Sequence, residues 1–559
     1  MKQRKMWIAL ATAAALLFTG CGGAAETESS SETVTETVSA EKKDTWLTDE
    51  KKTITVLAKQ DADTSTETND AIRAIEEATN VHLDIIWVPS SEYADKVNLM
   101  LSSGDSPDII TGADLDMSKQ IQYGTKEENI IPLNEFIEKY PEGTLAQVLK
   151  ELPAYKSAVT APDGNVYGFA EVSGGIHPQV TKMWINKSYV EQMGKEMPTT
   201  LDEYRELCLE FKNSDINGNG LADEVPLTGA VNTWAAEPQY YLLNSFIETD
   251  QSTFLKVEDS KVSFVADTEE YKNGLKYLNE MYEEGLIDPS TYTQDMDQMR
   301  QQVSNEPYTV LSVHCGHLSM AVDTGIQDFS EQWTYLEPLA GPDGNQTCSF
   351  HSIKKDNNAW SYAKVVITDN CEDPDLAYRL IDFCTSDEGI LMGYGEEGKW
   401  WKTPEEGMVG LDGEPAIFVN VQTETPEQTI QKAADQLTIF PSLNSRWHSA
   451  QAVVSDDVYD PQNYEFRLVE ATKAYEKYAP EEILPYNTMQ LSEEDTSNLA
   501  DIKTNIVNYV TQMTTLFIIG EKDIDSEWES YLDTLKSYNL EEYLNIYQRG
   551  LDDWLAGQK

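Results

Sequence analysis

Past the first fifty residues, apolar and polar positions follow regular periods. Thr53-Ile54-Thr55-Val56-Leu57 is a short β-rich run, followed by the polar stretch Gln60 to Thr68. A helix is predicted from Asn69, because Ile72, Ile75 and Ala78 fall on one face. Val81 to Val88 reads as a second strand, Tyr93 to Leu101 as a helix, and Pro107-Asp108-Ile109-Ile110 opens a third strand. This rhythm predicts a parallel α/β sheet with helices on both faces. Ligands of such sheets sit off the carboxyl ends of the strands, so the loops after Leu57 and Ile110 are the first places to look.

A second domain is predicted to open after Gly168. Met183 to Asn186 reads as a strand, and Thr200-Leu201-Asp202-Glu203 is a capping box starting a helix that runs to Phe211. A helix from Asp267 to Glu284 carries Leu275, Leu278, Met281 and Tyr282 at helical spacing, and Tyr308 to Val313 is a further strand. After Gly413 the pattern is mostly helical, ending in a long helix from about Ser492 with Ile502, Ile506, Tyr509, Val510 and Met513. There is no internal repeat and no coiled-coil heptad.

Composition narrows the class. Lys plus Arg number 41 against 97 Asp plus Glu, a net charge of −56. Such a chain repels nucleic acid and anionic headgroups, which excludes both as partners; solubility accounts for the excess without a cationic ligand. At the N-terminus, Lys2, Arg4 and Lys5 precede an apolar run from Trp7 to Phe18 and then Thr19-Gly20-Cys21. This reads as a signal peptide, too short to span a membrane as a helix. Its end resembles the bacterial lipobox, with Leu17 one place earlier than usual, so residues 1–21 are expected to be a lipoprotein leader ending at an acylated Cys21. Ala24 to Asp44 is rich in Ser, Thr and Glu and has no apolar period. Residues 22–49 are therefore expected to be a disordered tether. The other cysteines, Cys208, Cys315, Cys348, Cys371 and Cys384, are odd in number and lack CxxC spacing, which argues against a disulfide framework. The remaining chain of roughly 510 residues exceeds what one core usually supports, so two domains are expected.

The order of short phrases resembles the family 1 extracellular solute-binding proteins of ABC transporters, especially their large LipO-type lipoproteins. The phrases are Gly104 to Ile110, Ile131 to Ile137, Asp163 to Gly168, Trp184 to Lys187, Met197 to Tyr204, Glu284 to Pro289, Pro374 to Ala377 with Ser386 to Gly389, and Phe517 to Glu521. The resemblance implies a two-lobed, type II periplasmic-binding-protein-like α/β fold with a ligand cleft between the lobes and a helical C-terminal extension. Transferring that topology puts hinge crossings near Gly168, Leu336 and Asp387. An N-lobe of 50–168 plus 338–387 and a C-lobe of 169–337 plus 388–559 follow. It also implies a monomer, lipid-anchored on the outer face of the cell membrane, that closes on its ligand and presents it to permease subunits.

Two constellations carry chemistry. Asp215-Ile216-Asn217-Gly218-Asn219-Gly220-Leu221-Ala222-Asp223-Glu224 alternates oxygen side chains with turn glycines, as a hard cation such as Ca²⁺ requires. Pro226 stands where an EF-hand has its bidentate Glu; a metal-free Asn-Gly turn is the alternative. The resemblance to alginate-binding members of the family implies structural Ca²⁺ on Asp215, Asn217, Asn219, the Leu221 carbonyl, Asp223 and Glu224. The second constellation is aromatic, since sugar sites combine stacked Trp or Tyr with polar hydrogen bonders. Trp234, at a position where family members often place a cleft aromatic, Trp360, Trp400 and Trp401 are candidates, each with core packing as the alternative. Trp184, inside a strand, is read as core. The polar candidates are Gln60, Asp61, Asp114, His314 and His317. His314-Cys315-Gly316-His317 reads as a cleft-wall turn, because a zinc site needs further convergent ligands. No nucleophile elbow, HExxH helix, P-loop or dinucleotide glycine pattern is present. A glycosidase needs only two carboxylates, which this chain has in number, and it is the family resemblance that implies a binder rather than an enzyme. The resemblance to the large members of the family implies an oligosaccharide as solute, with a peptide the alternative and a glycan-active enzyme the third reading.

Overall fold

The computed structural model describes residues 45–60, 66, 69–172, 182–231, 233, 235–324, 326–349, 362–422, 426–486 and 489–557. Residues 1–44, with Cys21, and Asp61, Trp234 and Trp360 lie outside them.

Three strands, β1 (Lys52–Gln60), β2 (Val81–Pro89) and β3 (Ile109–Leu115), begin the first sheet. β1 and β2 run parallel in unbroken register from Lys52 opposite Val81 to Gln60 opposite Pro89. Parallel neighbours need a crossover. It is supplied by helix Asp70–Thr79, which starts where Asn69 accepts the Ile72 N–H and stops where Asn80 turns left-handed at φ 59°. Ala71, Ile72, Ile75 and Ala78 form its buried face, as the period predicts. Helix Ser90–Ser103 makes the second crossover and ends at left-handed Gly104.

The second half opens with β4 (Met183–Asn186) and β5 (Val225–Thr228), followed by a hairpin of β6 (Leu255–Glu258) and β7 (Lys261–Phe264). The hairpin turns on Asp259 and Ser260, both at positive φ, as the twist of a two-residue loop demands. β8 (Val310–His314) and β9 (Trp333–Leu336) complete a second four-stranded sheet in the order β5–β8–β4–β9. β5 and β8 are parallel, whereas β4 is antiparallel to both its neighbours. The chain then returns as β10 (Ala363–Ile367) to the first sheet, whose order is β10–β3–β1–β2. β10 pairs antiparallel with β3, so the sheet is mixed rather than parallel. A strand re-entering after a long excursion needs no helical crossover on an open edge, which leaves its direction free.

Each sheet has its own core. Val56, Leu83, Ile109, Phe169, Val365 and Tyr378 belong to the first. Leu437, Phe440 and Leu443 join the same cluster from far along the chain. Ile185, Tyr204, Leu227, Tyr271, Leu278 and Leu311 belong to the second. The capping box at Thr200 and Glu203 is present, and helix Leu201–Lys212 buries Leu207, Cys208 and Phe211. Cys208, Cys315, Cys348, Cys371 and Cys384 are free and buried.

Beyond Gly413 the expectation of mostly helical structure fails over a long stretch. Among the described residues between Gly413 and Pro461 only Pro426–Asp435 is α-helical, and β11 (Trp401–Lys402) pairs with β12 (Val419–Asn420). Pro441 and Asn444 interrupt any helix there; Arg446 instead ties the loop to Asp412 at 2.7 Å, and Phe418 packs with Trp447 and Ile390. The long helix expected from about Ser492 is present as Glu493–Ile518, capped by Ser492, and two further helices follow it, Ile524–Ser537 and Leu540–Gly557. Ile506, Val510, Phe517, Trp528 and Tyr543 bury their inner faces in the second core. Among the described residues no helix is long and apolar enough to cross a membrane.

Candidate functional site

A cavity of about 450 Å³ opens at the carboxyl ends of β1 and β3. Lys59 reaches it from β1, Thr111, Gly112 and Asp114 from β3, and Trp87 from β2. The opposite wall comes from Tyr394 and the segment 436–448. β3 is irregular where it meets the cavity: Gly112 and Asp114 both have positive φ, 58° and 45°. Left-handed backbone at a non-glycine residue is uncommon and tends to mark functional positions. Asp114 is exposed, and its carboxylate has no hydrogen-bond or ion-pair partner among the described residues.

The aromatic part of the wall is joined by ring packing and a hydrogen bond. Trp447 is buried and stacks on Phe418, with ring centroids 4.9 Å apart and planes at 20°. Its indole N–H donates to the Tyr394 hydroxyl at 2.9 Å, and the two rings meet edge-on at 5.5 Å. Trp87 is half-buried and donates its indole N–H to Thr66 Oγ1 at 2.9 Å.

Glu171 is the electrostatic centre of the wall. It follows the point where Phe169 bridges to Val365, and it takes an ion pair from Lys364 on β10. His448 Nε2 lies 3.7 Å from its other oxygen. Burial alone would raise the Glu171 carboxyl; the hydrogen bonds and charges of His448 and Lys364 outweigh it and hold the carboxyl down at about 2.

A second cavity of about 610 Å³ lies beside the loop that follows β5. Thr233, Glu237, Tyr292, Thr511, Gln512 and Thr515 face it. Burial raises the Glu237 carboxyl, offset in part by the Gln239 amide donating at 3.3 Å. The Tyr292 hydroxyl is buried without a hydrogen-bond partner among the described residues.

Of the residues singled out in the sequence, Asp114 lines the first cavity and Gln60 ends the strand beside it. Asp61, Trp234 and Trp360 are outside the described residues. Trp400 does not line either cavity: it is buried, and its indole N–H donates to Asp435 Oδ2 at 3.0 Å. Trp401, half-buried, donates to the Gly395 carbonyl at 3.0 Å and packs on the Phe418 cluster. His314 is buried at the end of β8, 6.3 Å from the Tyr241 ring, and burial pushes its imidazole down to about 3. His317 is half-buried just beyond it. Sequence reasoning missed Glu171, Lys364, Trp87, Tyr394, Trp447 and His448. Only one signal was available, Trp447-His448 inside the polar run Asn444 to Ser449.

The loop Asp215 to Glu224 is held by its own amides. Asp215 accepts the Gly220 N–H at 3.1 Å, Asp223 accepts the Asn219 amide at 3.0 Å, and Asn219 Oδ1 accepts the Leu221 N–H at 2.7 Å. Glu224 Oε1 accepts the Ile216 N–H at 3.2 Å, while Oε2 is buried with no partner among the described residues. An orphaned, buried carboxylate oxygen fits a cation. Among the described residues, however, no group of three or more His, Cys, Asp or Glu side chains gathers to hold an ion.

The model of the bacterial extracellular solute-binding proteins matches residues 58–390. The chain is 28% identical over 504 residues to the fructooligosaccharide ABC transporter substrate-binding protein FusA of Streptococcus pneumoniae serotype 4, covering 87% of each. The structure of FusA in complex with kestose superposes with a TM-score of 0.76 at 24% identity, over 91% of this chain and all of that one. Lipoprotein LipO of Bacillus subtilis is 23% identical over 62% of this chain and 64% of its own. The alginate-binding protein AlgQ2, solved without calcium ion, gives a TM-score of 0.68 at 20% identity, over 91% and 100%. The fold is thus the two-lobed, type II periplasmic-binding-protein-like α/β fold with C-terminal helices.

Proposed function

Because the chain belongs to the bacterial extracellular solute-binding proteins, we propose that it captures an oligosaccharide outside the cell and delivers it to an ABC importer. The observation that carries this reading is the cavity at the carboxyl ends of β1 and β3, where Trp87, Tyr394 and Trp447 stand beside Asp114 and Thr111. Its volume lies within the range of small-ligand sites, and aromatic faces with a few polar groups suit a sugar ring's apolar face and hydroxyl edge. FusA, a fructooligosaccharide-binding relative matched along most of both chains, supports the same solute class.

The lobes we assign are 50–168 plus 338–387, and 169–337 plus 388–559, except that Phe169, Ala170, Val172, Leu437, Phe440 and Leu443 pack in the first lobe's core and are counted with it. Closure of one lobe on the other around the ligand presents it to the permease. The protein acts as a monomer and as a binder rather than an enzyme, held to the membrane by an acylated Cys21; LipO, a lipoprotein relative, supports the anchor. Trp234, Trp360, Gln60, Asp61 and the His314–His317 turn are assigned to the cleft region on their place in the sequence. Structural Ca²⁺ is assigned to Asp215, Asn217, Asn219, the Leu221 carbonyl, Asp223 and Glu224. The orphaned Glu224 oxygen supports it, and the ion would lock the loop between helix Leu201–Lys212 and β5.

A thermal-shift panel of oligosaccharides and peptides tests the reading, because a ligand bound only by the folded state raises the melting point. Shifts with oligosaccharides alone support it. Shifts with peptides alone replace it by peptide import, and new reducing ends after incubation mark a glycan-cleaving enzyme.

A further inference from the structure

We propose that the second cavity is a saccharide subsite of its own, holding a further ring of the captured chain through Tyr292 and Glu237, so that the protein selects for chain length; this rests on the oligosaccharide reading above. Tyr292 lines the cavity, yet its hydroxyl is buried with no hydrogen-bond partner among the described residues. A buried hydroxyl left unpaired costs free energy, and a ligand that reaches it recovers that cost. Burial pushes the Tyr292 hydroxyl up and the Glu237 charge adds to this, so the two groups are neighbours. Burial also raises the Glu237 carboxyl toward its neutral form, which donates as well as accepts.

The rest of the lining has the same character. Thr511 and Thr515 stand one turn apart on helix Glu493–Ile518, with Gln512 between them, and Thr233 joins them from the loop after β5. Val231 and Leu516 supply the apolar surface. Hydroxyls, an amide and a carboxyl around two aliphatic side chains suit a sugar ring, with its hydroxyl edge and apolar face. This lining is held from behind. Gln294 donates its amide to the Thr228 hydroxyl at 3.0 Å and to the Gly229 carbonyl at 2.6 Å, and its backbone carbonyl accepts the Val231 N–H at 3.1 Å. Asp288 accepts the Ser290 N–H at 2.8 Å and caps the turn Pro289–Tyr292, and Tyr282 meets the Tyr292 ring edge-on at 6.0 Å. Groups fixed in this way cost a ligand little ordering.

The two cavities share no lining residue. Helix Glu493–Ile518 connects their surroundings: it packs on helix Met117–Gln120, which follows β3 and its Asp114, and the Asp250 and Asp116 carboxylates act on its Lys503. Thr511 and Thr515 lie roughly 12 and 18 Å further along the axis. One sugar ring cannot occupy both places, whereas a chain of several reaches from one to the other.

Isothermal titration of the folded chain with fructo-, xylo- and malto-oligosaccharide series, each from the monosaccharide to the pentasaccharide, tests this. In the series that binds, the longest members are expected to bind at least about tenfold more tightly than the shortest. Tyr292→Phe, which deletes only the hydroxyl, and Thr515→Val should each shrink that ratio by about three- to tenfold. Without ligand, Tyr292→Phe should melt at or above the temperature of the parent, because the lost hydroxyl has no partner in the fold. A lower melting temperature overturns the argument from the unpaired hydroxyl. Affinity that does not rise with length, or a ratio unchanged in both variants, leaves the cavity to solvent and overturns the subsite while the oligosaccharide reading stands. Binding of peptides but of no saccharide overturns the parent reading, and this inference with it.

Discussion

His448 Nε2 stands 3.7 Å from a Glu171 carboxylate oxygen, so the segment leaving the first sheet is tied to the turn that carries Trp447. With Lys364 on the other side, this contact closes the cavity wall from three distant parts of the chain. The carboxyl is held at about 2, against an ordinary 4.5. A depressed carboxylate contributes stability in full above its unfolded value, and loses it as pH falls from about 4.5 toward about 2. Glu171→Gln is therefore expected to lower unfolding free energy at neutral pH by roughly 3 kcal/mol. Mutant and parent should converge near pH 2, as measured by denaturant titration across pH. A constant difference at every pH would mean that the loss comes from packing and not from the charge.

The loop Asp215 to Glu224 predicts a metal-dependent melting point. If Ca²⁺ satisfies the orphaned Glu224 oxygen, chelation should lower the melting temperature, and Asp215→Ala should give the same loss with no further effect of chelator. A site saturated at about 100 times its dissociation constant adds roughly 2.7 kcal/mol. Elemental analysis finding no calcium, together with an unchanged melting point on chelation, would reduce the loop to a turn.

How much of this was legible in the sequence varied with distance along the chain. The β1–β2 crossover could be read because Ile72, Ile75 and Ala78 repeat on a helical period, and the capping box because Thr200 and Glu203 are three residues apart. The β6–β7 hairpin was missed, since Asp259-Ser260 is not one of the glycine-bearing pairs that announce a two-residue turn. Asp114 could be found from the rule that sites lie at strand ends. Glu171, Tyr394 and Trp447 could not, because only tertiary folding brings them together. Trp400, a stacking candidate with core packing as the alternative, is core; its indole N–H donates to Asp435, a partner that no local pattern reveals.

The proposed acylation of Cys21 predicts a change of compartment. Cys21→Ala should move the chain from the membrane fraction to the soluble exported fraction, because the lipid anchor is its only expected attachment. Fractionation with immunodetection measures this, and equal partitioning of mutant and parent would count against acylation at Cys21.

Trp87 and Trp400 should separate binding from stability in opposite directions. Trp400 is buried with its indole N–H bonded to Asp435, and Asp435 also holds Lys399. Trp400→Ala empties a core site and removes one of the donors to Asp435, which keeps Lys399 and Gln431, so a loss of roughly 3–5 kcal/mol in unfolding free energy is expected. Affinity measured on the folded fraction should barely change, because the side chain touches neither cavity. Trp87 is half-buried at the cavity wall. Trp87→Ala removes a face on which a sugar ring can stack, so affinity should fall by about 2 kcal/mol, some thirtyfold. Its stability cost should be well below that of Trp400→Ala, because less of the ring is packed. Titration calorimetry and denaturant unfolding on both variants give the four numbers needed. Loss of affinity in Trp400→Ala with none in Trp87→Ala would move the binding site away from the carboxyl ends of β1 and β3, because no packing argument makes the buried ring a ligand contact and the half-exposed one a bystander.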